Sequence, residues 1–383
     1  MIILIVIVPL SLLVVTVFAV WKQFRKTNMT CTSALLGIAE TGEFRGEARL
    51  TDMSSGTGSG CQQMVQQTIS AQVTLKQCLS KGTFGSLVYR GVWLGTDVCV
   101  KVYFEGQKEL WLREYNIYQT FLLRHENVLG FIASDSRQCA TLTEYWMVYD
   151  HHPSGSLYDI MQTEHFTWSR ALNIIYGIVC GLNHLHLEVV GSSRRKPAIA
   201  HRSLNTQHIL MKTDYTPCLG GLSTAATRTN ILTEGVYMPP STTRTRYHAP
   251  ELLNDTINVA HFDAHLKTDT YALGLCLWEV CWRTHLVGTV EPYAPPFHEH
   301  LLTNNPSHEE LLRVVCVNNE RPTFPDHWMK VRGMETLLKV MSECWVDDAS
   351  ARLPTLRVKK NIGALLTQNN IDISSSASSS TST

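Results

Sequence analysis

The first twenty positions, Met1 to Val20, are apolar apart from Ser11 and Thr16, with one proline at Pro9. Twenty helical residues rise about 30 Å, the thickness of a bilayer core. Trp21 follows as an interfacial anchor, then Lys22, Arg25 and Lys26. Basic residues after a span place its C-terminal side in the cytoplasm. The pattern predicts a transmembrane anchor over residues 1–20, hence a single-pass membrane protein with the rest of the chain cytoplasmic. A cleaved signal peptide is the alternative. It wants a basic start, a shorter apolar core and a small-x-small cleavage site, which Trp21-Lys-Gln-Phe-Arg-Lys26 does not offer.

Residues 21–53 are polar and without periodicity, a juxtamembrane linker. Ser54-Ser-Gly-Thr-Gly-Ser-Gly60 then opens a Gly/Ser-rich region, 54–72. Its hydroxyls, Ser54, Ser55, Thr57 and Ser59, read as a flexible linker or as a phosphorylation segment, each phosphate adding about −1.5 to −2 charges. Val73 to Val88 reads as strand, Gly-rich turn, strand, with Ser86-Leu87-Val88 one residue longer than the usual pattern. Val98-Cys-Val-Lys101 alternates as a strand, Glu109 to Tyr118 has the spacing of an amphipathic helix, and Trp146 to His152 reads as a strand running into a connection. After Leu366 the pattern fades. Residues 367–383 are a Ser/Thr-rich tail that cannot build a core, which leaves 73–366 as the folded domain.

Composition narrows the function. The 383 residues carry 33 Lys+Arg against 33 Asp+Glu, so the electrostatic footprint of a nucleic-acid binder is missing. Eleven cysteines are scattered singly, unlike a disulfide scaffold, and read as reduced thiols. His298-Glu-His300 lacks a second ligand pair at zinc-site spacing.

The chemistry-bearing stretch is Lys196-Pro-Ala-Ile-Ala-His-Arg-Ser-Leu-Asn-Thr-Gln-His-Ile-Leu210. It resembles a protein-kinase catalytic loop, H-R-D-L-x-x-x-N, with Ser203 in place of the catalytic Asp and His208 in place of the metal-binding Asn. Ser80-Lys-Gly82-Thr-Phe-Gly85 resembles a Gly-rich phosphate loop that has lost its first glycine. Lys101 stands where a phosphate-binding Lys belongs, and Glu114, thirteen residues on, where its ion-pair partner belongs. Tyr149 falls at the gatekeeper position. Thr216 to Ser223 occupies the place of the metal-binding D-F-G turn, with Gly221 aligned to the Asp. Ala249-Pro-Glu251, Asp269, Leu273 to Glu279 and Arg352 complete the series. Arg202, Glu251, Asp269 and Arg352 are scaffold residues, Glu251 expected to pair with Arg352 and Asp269 to hold the catalytic-loop backbone.

Together these stretches resemble the cytoplasmic region of type I receptors of the TGF-β/activin/BMP superfamily, from about Ser54 to Leu366. The Gly/Ser box, Val65-Gln-Gln-Thr68, Leu123 to Asp135, Gly155-Ser-Leu-Tyr-Asp159, Gly181 to His186, Val314-Val-Cys-Val317 and Arg352 to Lys360 carry the likeness beyond generic kinase marks. The resemblance implies an α+β, two-lobed protein-kinase fold: a small β-rich lobe and a larger helical one. It also implies phosphorylation of the Gly/Ser box by type II receptors and phosphorylation of Smads, chosen by a loop here spanning Ser134 to Thr143. That loop keeps the family's length and not its residues. Cys61-Gln62 replaces the family's Leu-Pro, Gln67 replaces an Arg, and the ligand-binding ectodomain is absent from the sequence.

Kinase catalysis is positioning plus charge neutralisation by Mg²⁺, with an Asp accepting the hydroxyl proton. Ser203 is no base at neutral pH. His208 suits softer metals than Mg²⁺, Gly221 offers no side chain, and Asn205 replaces the family's catalytic-loop Lys. Losing transition-state charge stabilisation alone costs on the order of 10²–10³ in rate. The sequence therefore predicts a catalytically dead pseudokinase with no required cofactor. Binding of ATP at Lys101, Glu114, Gly82 and Gly85 is expected to be weak or absent, and the metal ligands are missing. A residually active kinase, favoured by retained Lys101 and Glu114, and a non-functional copy are the alternatives; intact scaffold motifs weigh against the latter.

Overall fold

The computed structural model describes residues 68–369, apart from 121, 140–141, 191–194, 235–244, 287, 289–290 and 302. The anchor, the linker, Ser54, Ser55, Thr57, Ser59 and the tail from 370 onward lie outside the described residues. Among the described residues no helix is long and apolar enough to cross a membrane.

The smaller lobe is a five-stranded antiparallel sheet in the order β1-β2-β3-β5-β4. Its strands are β1 (Val73–Lys81), β2 (Leu87–Trp93), β3 (Thr96–Phe104), β4 (Phe131–Cys139) and β5 (Leu142–Asp150). Period-two alternation divides the two faces. Val98, Val100 and Val102 of β3 pack with Val73, Trp146 and Val148 in one apolar cluster. Tyr103, Met147 and Tyr149 go to the other side, into the main core. The helix Lys108–Tyr118 packs there, burying Leu110, Glu114, Ile117 and Tyr118. In the β1–β2 ladder the pairing slips between Leu75 and Gln77 and again between Cys78 and Ser80. The extra residues, Lys76 and Leu79, are bulges in β1, ahead of the Gly-rich turn.

One reading needs correction. Ser134 to Thr143, expected as a loop, lies almost wholly within the arms of a β-hairpin. Ser134 pairs with Met147, Asp135 with Trp146 and Cys139 with Leu142. Cross-strand contacts explain the ordering: Arg137 pairs with Glu144 at 3.6 Å and lies 5.0 Å from the Trp146 ring centre. Asp135 also accepts the Ser70 backbone N–H at 2.7 Å, tying the end of the Gly/Ser region, a one-turn helix Ile69–Gln72, to this edge of the sheet.

The larger lobe is helical. Trp168–His186 and Phe262–Trp282 are its long helices, and the second is buried on nearly every face, as an apolar sequence with little amphipathicity requires. Lys196, fully buried, caps the first by donating to the carbonyls of Leu185 at 3.1 Å and Leu187 at 2.9 Å. The terminal helix runs Thr355–Gln368, two residues past the predicted domain end. Its last turn is retained because Leu365 and Leu366 are buried in the core.

Candidate functional site: the interlobe cleft

Between the lobes lies a cavity of about 580 Å³ whose lining includes Gly82, Lys101, Glu114, Arg202, Ser203, His208, Gly221 and Asp269. The sequence scatters these residues from position 82 to position 269; the fold brings them to one cleft. Gly85 borders the same turn without lining the cavity, and Glu251 and Arg352 lie elsewhere.

Lys101 Nζ sits 2.9 Å from Glu114 Oε2. The same carboxylate oxygen accepts the Tyr103 hydroxyl, and Lys101 Nζ lies 4.8 Å from the Tyr103 ring centre. Burial pushes the Glu114 carboxyl up, but Lys101 and the Tyr103 hydrogen bond outweigh it, and its pKa ends below the ordinary value. Tyr103 was missed in the sequence. The signal was there: two residues after Lys101 on a strand, it must project from the same face.

The Gly-rich turn folds in on itself. Gly82 N–H donates to the Ser86 carbonyl at 2.7 Å, and Gly85 N–H to the Gly82 carbonyl at 3.3 Å. Phe84 is left-handed at φ 61°, and its carbonyl is held by Gln107 Nε2. Gln107 Oε1 in turn accepts Phe104 N–H at 3.0 Å. Gln107, just before the helix Lys108–Tyr118, carried no recognisable sequence signal.

Asp269 holds the catalytic-loop backbone. Its two oxygens accept His201 N–H and Arg202 N–H, both at 2.7 Å, and His186 Nε2 lies 3.0 Å away. His201 Nε2 contacts the Gly220 carbonyl at 2.8 Å, joining this loop to the turn at Gly221. Burial raises the Asp269 carboxyl, but His186, His201 and the Arg202 N–H more than compensate, so its pKa lies below the ordinary value.

Around Ser203 the geometry is unlike a metal site. His208 Nδ1 is 2.7 Å from the Ser203 carbonyl oxygen, so Nδ1 carries the proton and donates. Ser203 Oγ, 3.3 Å from the same nitrogen, cannot transfer its proton there; the two do not form a nucleophile–base dyad. Burial pushes the imidazole down to about 4, so it is neutral at physiological pH. Gly221 is left-handed at φ 71°, and the ring lies against it: a Cβ at Gly221 would fall 2.6 Å from His208 Cγ. The imidazole occupies the room that a side chain at 221 would need.

The protein tyrosine and serine/threonine kinase family matches residues 73–362. The chain belongs to this family. It is 41% identical over 325 residues to activin receptor type-1 of Homo sapiens, covering 83% of this chain and 63% of that protein. It is 40% identical over 320 residues to TGF-beta receptor type-1 of Rattus norvegicus, again covering 83% and 63%. The chain thus spans under two-thirds of these relatives' length.

Two further carboxylates besides Asp269 tie distant segments together, the half-buried Glu251 and the fully buried Glu279. Arg352 meets Glu251 in a two-pronged pair at 2.6 and 2.8 Å. Glu279, quoted in the sequence motif but given no role, accepts Tyr247 and Tyr293 hydroxyls at 2.6 Å and Thr206 Oγ1 at 3.0 Å. Burial raises its pKa.

These carboxylates give a pH prediction. Asp269 and Glu114 are depressed in the folded state, so their stabilisation is fully present above their unfolded values, roughly pH 4. It is lost as pH falls through the lower folded values. Glu279, raised, acts oppositely. Comparison of wild type with Asp269→Asn in urea melts isolates the Asp269 share. The variant should be less stable at pH 7, and the gap should narrow as the pH drops below about 4. A gap unchanged down to pH 3 would contradict the assignment.

Proposed function

We propose that this chain is a pseudokinase of the type I receptor branch, a membrane-anchored scaffold that modulates receptor and Smad signalling without transferring phosphate. The His208 imidazole lying against Gly221, beside Ser203, carries this reading. The three positions that in active kinases supply the proton acceptor and the metal ligands hold a hydroxyl, a neutral ring and no side chain. These residues do not fit a magnesium–triphosphate complex. The scaffold contacts of Asp269, Glu251 and Arg352 fit a domain maintained for its shape. Anchoring through Met1 to Val20, phosphorylation at Ser54, Ser55, Thr57 and Ser59, and engagement of type II receptors and Smads belong to the same proposal. They rest on the sequence pattern and on the named relatives being receptors.

The paired Lys101 and Glu114 support a second reading, a residually active kinase. A thermal-shift titration of the full chain in detergent micelles separates the two. Tight binding raises the midpoint by mass action, about 2.7 kcal/mol of stabilisation at a hundredfold excess over Kd. The pseudokinase reading expects a cooperative melt with no Mg²⁺-dependent ATP shift, and no phosphate incorporation into Smad tails. A Mg²⁺-dependent shift accompanied by incorporation would establish the second reading instead.

A further inference from the structure

The turn between β1 and β2 is bent inward. Gly82 N–H donates to the Ser86 carbonyl at 2.7 Å and Gly85 N–H to the Gly82 carbonyl at 3.3 Å. That closure sets Phe84 and Gly85 at φ 61° and 87°, left-handed backbone that a phenylalanine adopts only under constraint. Phe84 lines the cavity it shares with Lys101 and Glu114, and its side chain packs on the main core.

The constraint comes from outside the turn. Gln107 lies beyond β3, just ahead of the helix Lys108–Tyr118. Its Nε2 donates to the Phe84 carbonyl, and its Oε1 accepts Phe104 N–H at 3.0 Å. One partner only accepts and the other only donates, so the amide has a single orientation. The fit is close: a Cβ at Gly85 would fall 3.3 Å from Gln107 Nε2. Glutamate at this position would keep the Phe104 bond and set an oxygen against the Phe84 carbonyl. Leucine would keep the bulk and lose both bonds.

We propose that Gln107 is a latch: its amide holds the Gly-rich turn folded into the cleft with Phe84 as a plug. Entry to the cavity then requires the Gln107–Phe84 contact to break. A single neutral hydrogen bond contributes modestly once solvation is counted, and a glycine-rich segment gains freedom on release, so the plug opens without unfolding the lobe. Gln107 is a positioning residue, acting through the turn. The latch goes beyond the pseudokinase reading and stands whether or not phosphate transfer is lost.

Hydrogen exchange of the full chain in detergent micelles tests it, read by mass spectrometry on fragments covering residues 80–88. The second readout is the rate at which N-ethylmaleimide labels Cys99, a free thiol on the cavity wall. Gln107→Glu should speed exchange across the turn by about tenfold and Cys99 labelling by a similar factor. Labelling of the buried Cys276 and Cys344 should not change, and Gln107→Leu should behave the same way. A role confined to the helix start predicts a silent Gln107→Glu and an active Gln107→Leu, because the Phe104 bond survives only in the first. That outcome would overturn the latch. So would a freed turn with Cys99 no more reactive, or labelling that rises equally at Cys276 and Cys344, the mark of general loosening.

Discussion

Gly221→Asp should destabilise the domain by about 2–4 kcal/mol, and pairing it with His208→Asn should recover most of that loss. The new Cβ would fall 2.6 Å from His208 Cγ, 2.8 Å from Nδ1 and 2.9 Å from Cδ2. The ring has little freedom to retreat. Its Nδ1 is tied to the Ser203 carbonyl at 2.7 Å, and the His201 ring stacks on it at 6.4 Å. Left-handed backbone at φ 71° adds strain for any side chain, though less for aspartate than for most residues. Urea melts of the two single variants and the double close a cycle. The coupling should reach about 1–3 kcal/mol. Additive effects would mean that the two positions are independent substitutions rather than an interlocked pair. The interlock has a chemical consequence too: a carboxylate at position 221 meets a steric block as long as His208 keeps its ring.

This coupling was not legible in the sequence. Ser203, His208 and Gly221 could each be recognised as departures because the surrounding frame, His201-Arg202 and Leu204, fixed their positions. Their mutual contact depends on the short hairpin pairing Ile209–Met211 with Pro217–Leu219, continued by Gly220 N–H donating to the His208 carbonyl at 2.8 Å, and on His201 Nε2 meeting the Gly220 carbonyl. Lys101 and Glu114 were legible because their order and thirteen-residue spacing match the strand and helix that carry such a pair in kinases. Tyr103 was legible in principle from its alternation with Lys101. Gln107 was not, since an amide that pins a glycine-rich turn has no spacing rule. The hairpin at Ser134 to Thr143 was misread as a loop because its polar residues hide the pairing. Its order comes from Arg137, Glu144 and Trp146 meeting across strands. Local pattern therefore disclosed the elements and the altered positions, while contacts between distant segments decided what the altered residues do to one another.

The other large effect concerns the scaffold. Arg352→Ala should cost about 2–4 kcal/mol, because it empties a fully buried guanidinium site, leaves three carbonyls without their donor and leaves the half-buried Glu251 without its partner. Arg352 is 1% exposed and every part of its guanidinium is used. It meets Glu251 at 2.6 and 2.8 Å and donates to the carbonyls of Val346, Lys267 and Asp347 at 2.8, 3.1 and 3.2 Å. It also lies 5.1 Å from the Tyr271 ring centre. Lysine cannot reproduce that planar fork, so Arg352→Lys should rescue little. Domains of this size are stable by roughly 5–15 kcal/mol, so the alanine variant should lose a large fraction of the folded population margin. Guanidinium melts would show it as a lowered midpoint at unchanged slope. A loss below about 1 kcal/mol would mean the pair behaves like an exposed one, and the argument that this domain is maintained for its fold would lose its main structural support. A loss of the expected size would instead show that the contacts joining distant segments of the larger lobe still carry the domain's stability, in a molecule whose catalytic positions have been replaced.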